Sequence, residues 1–295
     1  MKNSRHIGAA YAVGAFSAWG LLPIYWKLLQ KAPATEIMSH RMIWSLVFVV
    51  LLIVLQNRKS EFFAICSNGK AVMTLCLSSC IVGANWLAYI GGVNNGRIIE
   101  TSLGYFICPL VNIVFGMILL KERLNRRQGF AVLLAVIGVS ISIASYGEFP
   151  WIALTLAITF ALYGYLRKIV RVESLTGLAF EMAVLSPFAL GYLFLLHGRG
   201  EAAFLGERHT DALFVGTGIV TAVPLIWFAA GARKLRLSTL GFFQYLAPIL
   251  QLIVGVFIYN EAFTATHLAT FGFIWCALLV YSLDSIYLQR DRFGA

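Results

Sequence analysis

Three ionisable side chains sit deep in apolar surroundings: His40 and Arg41 in "EIMSHRMIWS", and Glu181 in "LAFEMAVL". Charged groups inside a membrane helix are costly, so they mark binding sites, proton relays or buried pairs. Arg41 has the chemistry to hold an anionic group, and Glu181 or His40 the chemistry to take up a proton during transport. A second setting stays open. Arg41 and Glu181 both fall near expected helix starts, where a long side chain reaches back to the interface.

Amides form a second set: Asn85, Asn94, Asn95, Asn112, Gln244 and Gln251. Buried amides need partners. They either hydrogen-bond a substrate or tie helices together. Asn112 and Gln251, mid-run, suit tying at least as well. Asn85 and Gln244, beside Trp86 and Tyr245, suit a cavity wall. Aromatics form the third set: Trp19, Trp86, Tyr89, Tyr105, Tyr163, Trp227, Phe243 and Tyr245. An aromatic cavity with a few amides suits amphiphilic molecules, whereas Trp and Tyr also belt the membrane interfaces. The substrate-binding candidates are therefore Trp19, His40, Arg41, Asn85, Trp86, Tyr89, Tyr105, Asn112, Tyr163, Glu181, Trp227, Gln244 and Tyr245.

Pro23, Pro109, Pro224 and Pro248 fall inside apolar runs and each removes one helical hydrogen bond. Glu122 and Glu261 close two such runs and read as capping or loop-pairing groups, with a gate role as the other option. No Walker A, HExxH or GxSxG sequence occurs, and the five histidines are scattered. The five cysteines (Cys66, Cys76, Cys80, Cys108 and Cys276) form no CxxC pair. No catalytic residue, metal site, disulfide framework or cofactor is expected.

The elements that must carry these residues follow from composition. The chain has 295 residues, 60% hydrophobic and 12% charged, against about 25% charged in soluble domains. Apolar runs recur at about 7–29, 35–56, 71–93, 101–120, 128–146, 150–167, 175–196, 211–231, 238–259 and 265–287, each near the ~20 residues that span a bilayer. They do not alternate as barrel strands do. The first run is longer than a leader's core and no cleavage site follows, so it reads as a retained helix. The net charge of +10 sits in short loops. With the N-terminus inside, only Lys27, Lys31, Arg97, Arg199 and Arg208 fall outside, and Arg41 lies within a run. The other basic residues fall inside, which places both termini in the cytoplasm. That distribution speaks against nucleic acid as a partner.

One pattern is written twice. "SLGYF" at 102–106 lies on "TLGFF" at 239–243, Pro109 matches Pro248, and Glu122 matches Glu261. "FSAWG" at 16–20 is echoed by "FALYG" at 160–164, and Arg41 aligns with Glu181. Each half has five helices, so the second enters from the opposite side. The first copy ends in basic "KERLNRR" and the second in "NEAFTATH", which lacks basic side chains of Lys or Arg. The expectation is an all-α membrane protein of ten transmembrane helices in two inverted five-helix repeats, 1–146 and 147–295. Small residues at Ser102 and Gly104, against Thr239 and Gly241, would let the fourth and ninth helices approach closely.

The segments "WGLLPIYWK", "EIMSHRMIWS", "GANWLAYIGGVNN", "SLGYFICPLVNIVFGMILLKER" and "KLRLSTLGFFQY" resemble the EamA-like branch of the drug/metabolite transporter superfamily, and within it the RarD proteins. The resemblance runs along the whole chain. It implies two inverted five-helix halves and transport of small molecules. RarD-like proteins are commonly described as chloramphenicol-resistance permeases, a description of the branch and not of this chain's cargo.

The leading expectation is a secondary transporter in a bacterial inner membrane that exports small amphiphilic metabolites or drug-like compounds by alternating access. A passive channel for small solutes is the alternative, and a membrane-embedded enzyme a weaker third. The partners expected are a small-molecule substrate, the lipid bilayer and protons as a coupling ion, with the chain a monomer or weak dimer.

Overall fold

A computed structural model describes residues 2–120, 126–146, 149–170, 172–232 and 243–293. Among them all regular structure is helical: α1 (Lys2–Leu28), α2 (Ala34–Leu55), α3 (Lys59–Cys66), α4 (Gly69–Asn94), α5 (Ile98–Leu120), α6 (Arg126–Tyr146), α7 (Trp151–Ile169), α8 (Ser174–Gly198), α9 (Arg208–Ala232), α10 (Leu246–Ile253) and α11 (Ala265–Phe293). A π-helical turn, Val254–Ile258, extends α10. Among the described residues six helical segments are long and apolar enough to cross a membrane: His6–Leu28, Ala34–Leu55, Gly69–Asn94, Ser174–Gly198, Arg208–Phe228 and Ala265–Leu283. Ile98–Val111, Trp151–Arg167 and Leu246–Ile258 are apolar but shorter. In hydrocarbon every backbone N–H and C=O must be satisfied within the segment, which is why such runs fold as helices.

The ends are set locally. The Asn68 side chain accepts from Ala71 N to start α4, and the Glu173 carboxylate accepts from Leu175 N and Thr176 N to start α8. Pro33 and Pro150 precede α2 and α7, where a fixed φ favours helix entry and no donor is lost. Gly96, at φ 71°, makes the tight turn between α4 and α5, a conformation that suits glycine. The short α3, "KSEFFAIC", is too brief for a span and buries Ile65 while Phe63 faces outward. Helices α1, α5 and α9 continue through Pro23, Pro109 and Pro224, and Pro187 lies within α8.

Packing pairs α1 with α9 and α10, α2 with α8 and α9, α4 with α7, α5 with α7, and α6 with α11. A Cβ on Gly20 would stand 2.6 Å from Leu250 Cβ, so α1 rests directly on α10. One expectation is corrected here. A Cβ on Gly104 would stand 2.8 Å from the Ala153 carbonyl oxygen, so Gly104 seats α5 on α7, not on the ninth span. Ser102, two residues earlier and on another face of α5, donates to the Pro248 carbonyl on α10 at 2.7 Å. Thr239 and Gly241, the partners expected for that contact, lie outside the described residues, as does Glu122.

Candidate functional site

Side chains of α1, α2, α4, α5, α7, α8, α9 and α10 surround a cavity of about 520 Å³; among the described residues α3, α6 and α11 supply none of its wall. Phe16, Trp19, Tyr89, Tyr105, Phe160, Tyr163 and Phe228 give it an aromatic lining, and Asn85, Gln244 and Gln251 supply amides. At one end the wall reaches Gln56, Arg58, Arg167 and Glu173, where α2 and α7 finish and α8 begins. This end is the mouth. At the other end Leu22, Trp26, Ile37, Tyr89, Ile90, Ile98 and Phe214 form one buried cluster, which closes the cavity.

Arg41 is buried and lines the cavity. Its Nε donates to Thr221 Oγ1 at 3.0 Å, and its guanidinium lies 3.8 Å from the Trp86 ring centre and 5.1 Å from that of Trp26. Its Nη1 has no hydrogen-bond partner. The energetics are close to balance. An arginine at the centre of a helix costs about 3 kcal/mol on the insertion scale. Each ring face returns ~0.5–2 kcal/mol, and the hydrogen bond a further ~1.5–3 kcal/mol. The site thus keeps a cation without a carboxylate bound to it.

Other polar lining atoms are also left open. Asn85 Nδ2 donates to the Leu156 carbonyl and to Thr159 Oγ1, tying α4 to α7, but its Oδ1 has no partner. Gln251 Nε2 donates to the Trp19 carbonyl at 3.3 Å, while its Oε1 has none. The Tyr89 hydroxyl is buried and unpaired.

Several expected residues stand elsewhere. His40, one residue from Arg41 and about 100° round the helix, is packed between Phe204 and Phe214 with ring centres 4.4 Å from each. It belongs to the closed end. Glu181 is fully buried just behind the wall, accepting from Ser78 Oγ at 2.6 Å and from the Tyr163 hydroxyl at 3.1 Å. Its third contact is Arg167 Nη1 at 3.6 Å. Gly177 makes room for that guanidinium, which a Cβ there would strike. Trp227 turns outward, partly exposed, and covers Gly14. Tyr245 packs with the cluster between α5 and α11. Asn94 and Asn95 end α4 away from the cavity, with Asn95 Nδ2 bonded to the Gly91 carbonyl. The side chain of Asn112 lies outside the described residues.

The two ends differ in how they are held. At the closed end Glu36 Oε1 accepts from Ala203 N and Phe204 N at 2.8 and 3.1 Å. Glu261 accepts from Ile98 N and Ile99 N, each at 2.8 Å, capping α5. Glu100 accepts from Ile152 N at 3.0 Å, at the start of α7. Tyr25 donates its hydroxyl to the Leu213 carbonyl. At the mouth Arg58 bridges Glu173 at 3.2 Å and Glu61 at 2.6 Å. Its hydrogen bond holds the exposed Glu61 carboxyl below the usual carboxylate range.

Sequence reading missed Phe16, Thr221, Arg167 and the backbone acceptance by Glu36 and Glu100. Arg167 counts among the basic residues expected on the inner side, and its guanidinium stands in the cavity wall beside Glu181. Glu36 reaches a loop almost 170 residues away in sequence, a contact with no local signature.

The EamA-like transporter family profile matches residues 6–144. Protein RarD of Escherichia coli (strain K12) is 44% identical over 98% of this chain and 98% of its own. The uncharacterized transporter YojE of Bacillus subtilis (strain 168) is 42% identical over 96% of each. The chloramphenicol-sensitive protein RarD of Pseudomonas aeruginosa is 29% identical over 97% of this chain and 96% of its own. A solved crystal structure shares the fold with TM-score 0.59 at 15% identity, covering 95% of this chain and 98% of that one.

Proposed function

We propose that this chain, which belongs to the EamA-like transporter family, is a secondary active transporter that exports small amphiphilic compounds across a bacterial inner membrane by alternating access. It is a multi-pass membrane protein; ten spans in two inverted halves, 1–146 and 147–295, with both termini cytoplasmic, are part of the proposal. The observation that carries it is the cavity, walled by helices from both halves, reaching the mouth and stopped by packed side chains at the other end. A carrier needs one such stop at a time, whereas an open channel needs none.

The packing supports an inverted pair. Exchanging the helices of one half for their mates turns α1 on α9 into α7 on α4, and α5 on α7 into α10 on α1. The pairs α2 with α8 and α6 with α11 map onto themselves. Two such halves rock against each other about a shared site. Arg58 and Arg167 stand at the mouth, and basic residues favour the cytoplasmic side, so in this orientation the cavity faces inward.

Proteoliposomes test the reading. With a metabolite library as candidate cargo, a carrier gives saturable uptake that speeds up when cargo is preloaded on the far side. Uptake without saturation or trans-stimulation points to the channel. Imposing a pH gradient on the same vesicles, with Glu181→Gln alongside, tests proton coupling: uptake that responds to the gradient in the parent and not in the variant supports it.

A further inference from the structure

We propose that the cavity selects small organic anions, compounds with one carboxylate on an apolar body, and that Arg41 is the residue that binds the carboxylate. This rests on the transporter reading above and names its substrate class. The guanidinium carbon stands 3.8 Å from the Trp86 ring centre and Thr221 holds Nε, so the group is anchored on that side while Nη1 stays unpaired. A guanidinium is a planar fork of donors that takes a carboxylate through two parallel hydrogen bonds. No acidic residue contacts it among the described residues.

The charge along the cavity agrees. Among the described residues its lining carries three arginines, Arg41, Arg58 and Arg167, and one acid, Glu173. Glu173 is engaged at the mouth, paired with Arg58 and capping α8. Arg58 is compensated by Glu61 and Glu173, and Arg167 by Glu181, which leaves Arg41 as the lining charge with no acidic contact among the described residues. A lone cation between apolar walls draws an anion towards it and repels a cation. The open carbonyl oxygens of Asn85 and Gln251 accept only from donors, so cargo with a hydroxyl or N–H on its body is favoured over plain hydrocarbon acids.

The experiment uses three probes of one shape: 3-phenylpropionate, its neutral amide, and 3-phenylpropylamine. Binding to the purified full chain is read by tryptophan fluorescence and by thermal stabilisation. The carboxylate should bind about tenfold or more tightly than the amide, the return expected of a charge-assisted pair in a desolvated site, with the amine weakest. Arg41→Gln should bring the carboxylate down to the level of the amide and leave the amide unchanged. Arg41→Lys, which keeps the charge and loses the fork, should lose several-fold in carboxylate affinity and still prefer it; this variant decides if Arg41→Gln does not fold. Equal binding of the three probes, no binding by any, tightest binding of the amine, or an unchanged carboxylate preference in either variant overturns the proposal. Counterflow of labelled 3-phenylpropionate is measured separately. Binding preference without exchange removes the transporter reading and leaves this site, and exchange without preference does the reverse.

Discussion

The closed end and the mouth are built from the same residue types and held in different ways. At the closed end three glutamates reach across to other segments and accept from backbone N–H groups: Glu36 from residues 203–204, Glu100 from 152–153, and Glu261 from 98–99. At the mouth Glu173 spends its carboxylate on the first turn of its own helix and also pairs with Arg58. The difference matters because an alternating carrier must undo one end and fasten the other. Backbone N–H groups at helix starts, as at Ile98 and Ile152, are good anion partners, and those of Ala203 and Phe204 lie in the loop before α9, so a carboxylate fastening breaks by parting polar groups and not apolar faces. Glu122 is the pattern-mate of Glu261.

The largest expected effect comes from weakening two fastenings together. Glu36→Gln with Glu261→Gln keeps shape and removes charge. A charge-assisted hydrogen bond is roughly twice as strong as a neutral one, so each change gives up about 1 kcal/mol and the pair about 2 kcal/mol, a ~30-fold shift in population. The reporter is Ala32→Cys in a cysteine-free background; Ala32 is buried in the closed end. Maleimide should label it about 30-fold faster in the double variant and roughly 5-fold faster in Glu261→Gln alone. Equal labelling in parent and double variant would show that the apolar cluster alone holds this end, and the comparison drawn above fails.

Which parts of this were legible follows from the range of each interaction. Helix placement is written in runs of local hydrophobicity, and the helices lie on those runs, while α3 has no run to announce it. The pair His40–Arg41 marks a special place on α2. One turn-angle separates the two side chains, and which of them faces the cavity depends on how α2 is rotated against α8 and α9. Rotation is set by packing between distant segments, so the sequence names the pair and not the member. The same limit applies to Gly104, whose small size signals a close approach without saying to which helix. Trp227 and Trp86 look alike in sequence, and one covers α1 from outside while the other carries the guanidinium of Arg41.

A smaller effect is expected from Tyr25→Phe. The hydroxyl bonds the Leu213 carbonyl, and Gly216 has no side chain because that hydroxyl fills the space. Both groups are neutral, so the loss is about 1 kcal/mol, and the cluster around Trp26 remains. Labelling of Ala32→Cys should rise no more than ~5-fold, and the thermal midpoint should fall by a few degrees. A change as large as that of the double glutamate variant would mean that the closed end is held by its packing geometry more than by its carboxylates.

Arg58→Ala should do least, and for a reason that sharpens the contrast. It removes both mouth contacts of Arg58, the 2.6 Å pair with Glu61 and the 3.2 Å bridge to Glu173. Glu61 is exposed, where water and salt screen the pair. Glu173 keeps its two backbone N–H donors on α8, so no carboxylate is stranded. Labelling of a mouth reporter such as Ser174→Cys should change less than ~3-fold, within the reach of a surface pair, and the thermal midpoint should hardly move. If Arg58→Ala instead closes the mouth, with Ser174→Cys protected, then this bridge props the entrance open. The two ends would then be governed by the same kind of contact, acting in opposite senses.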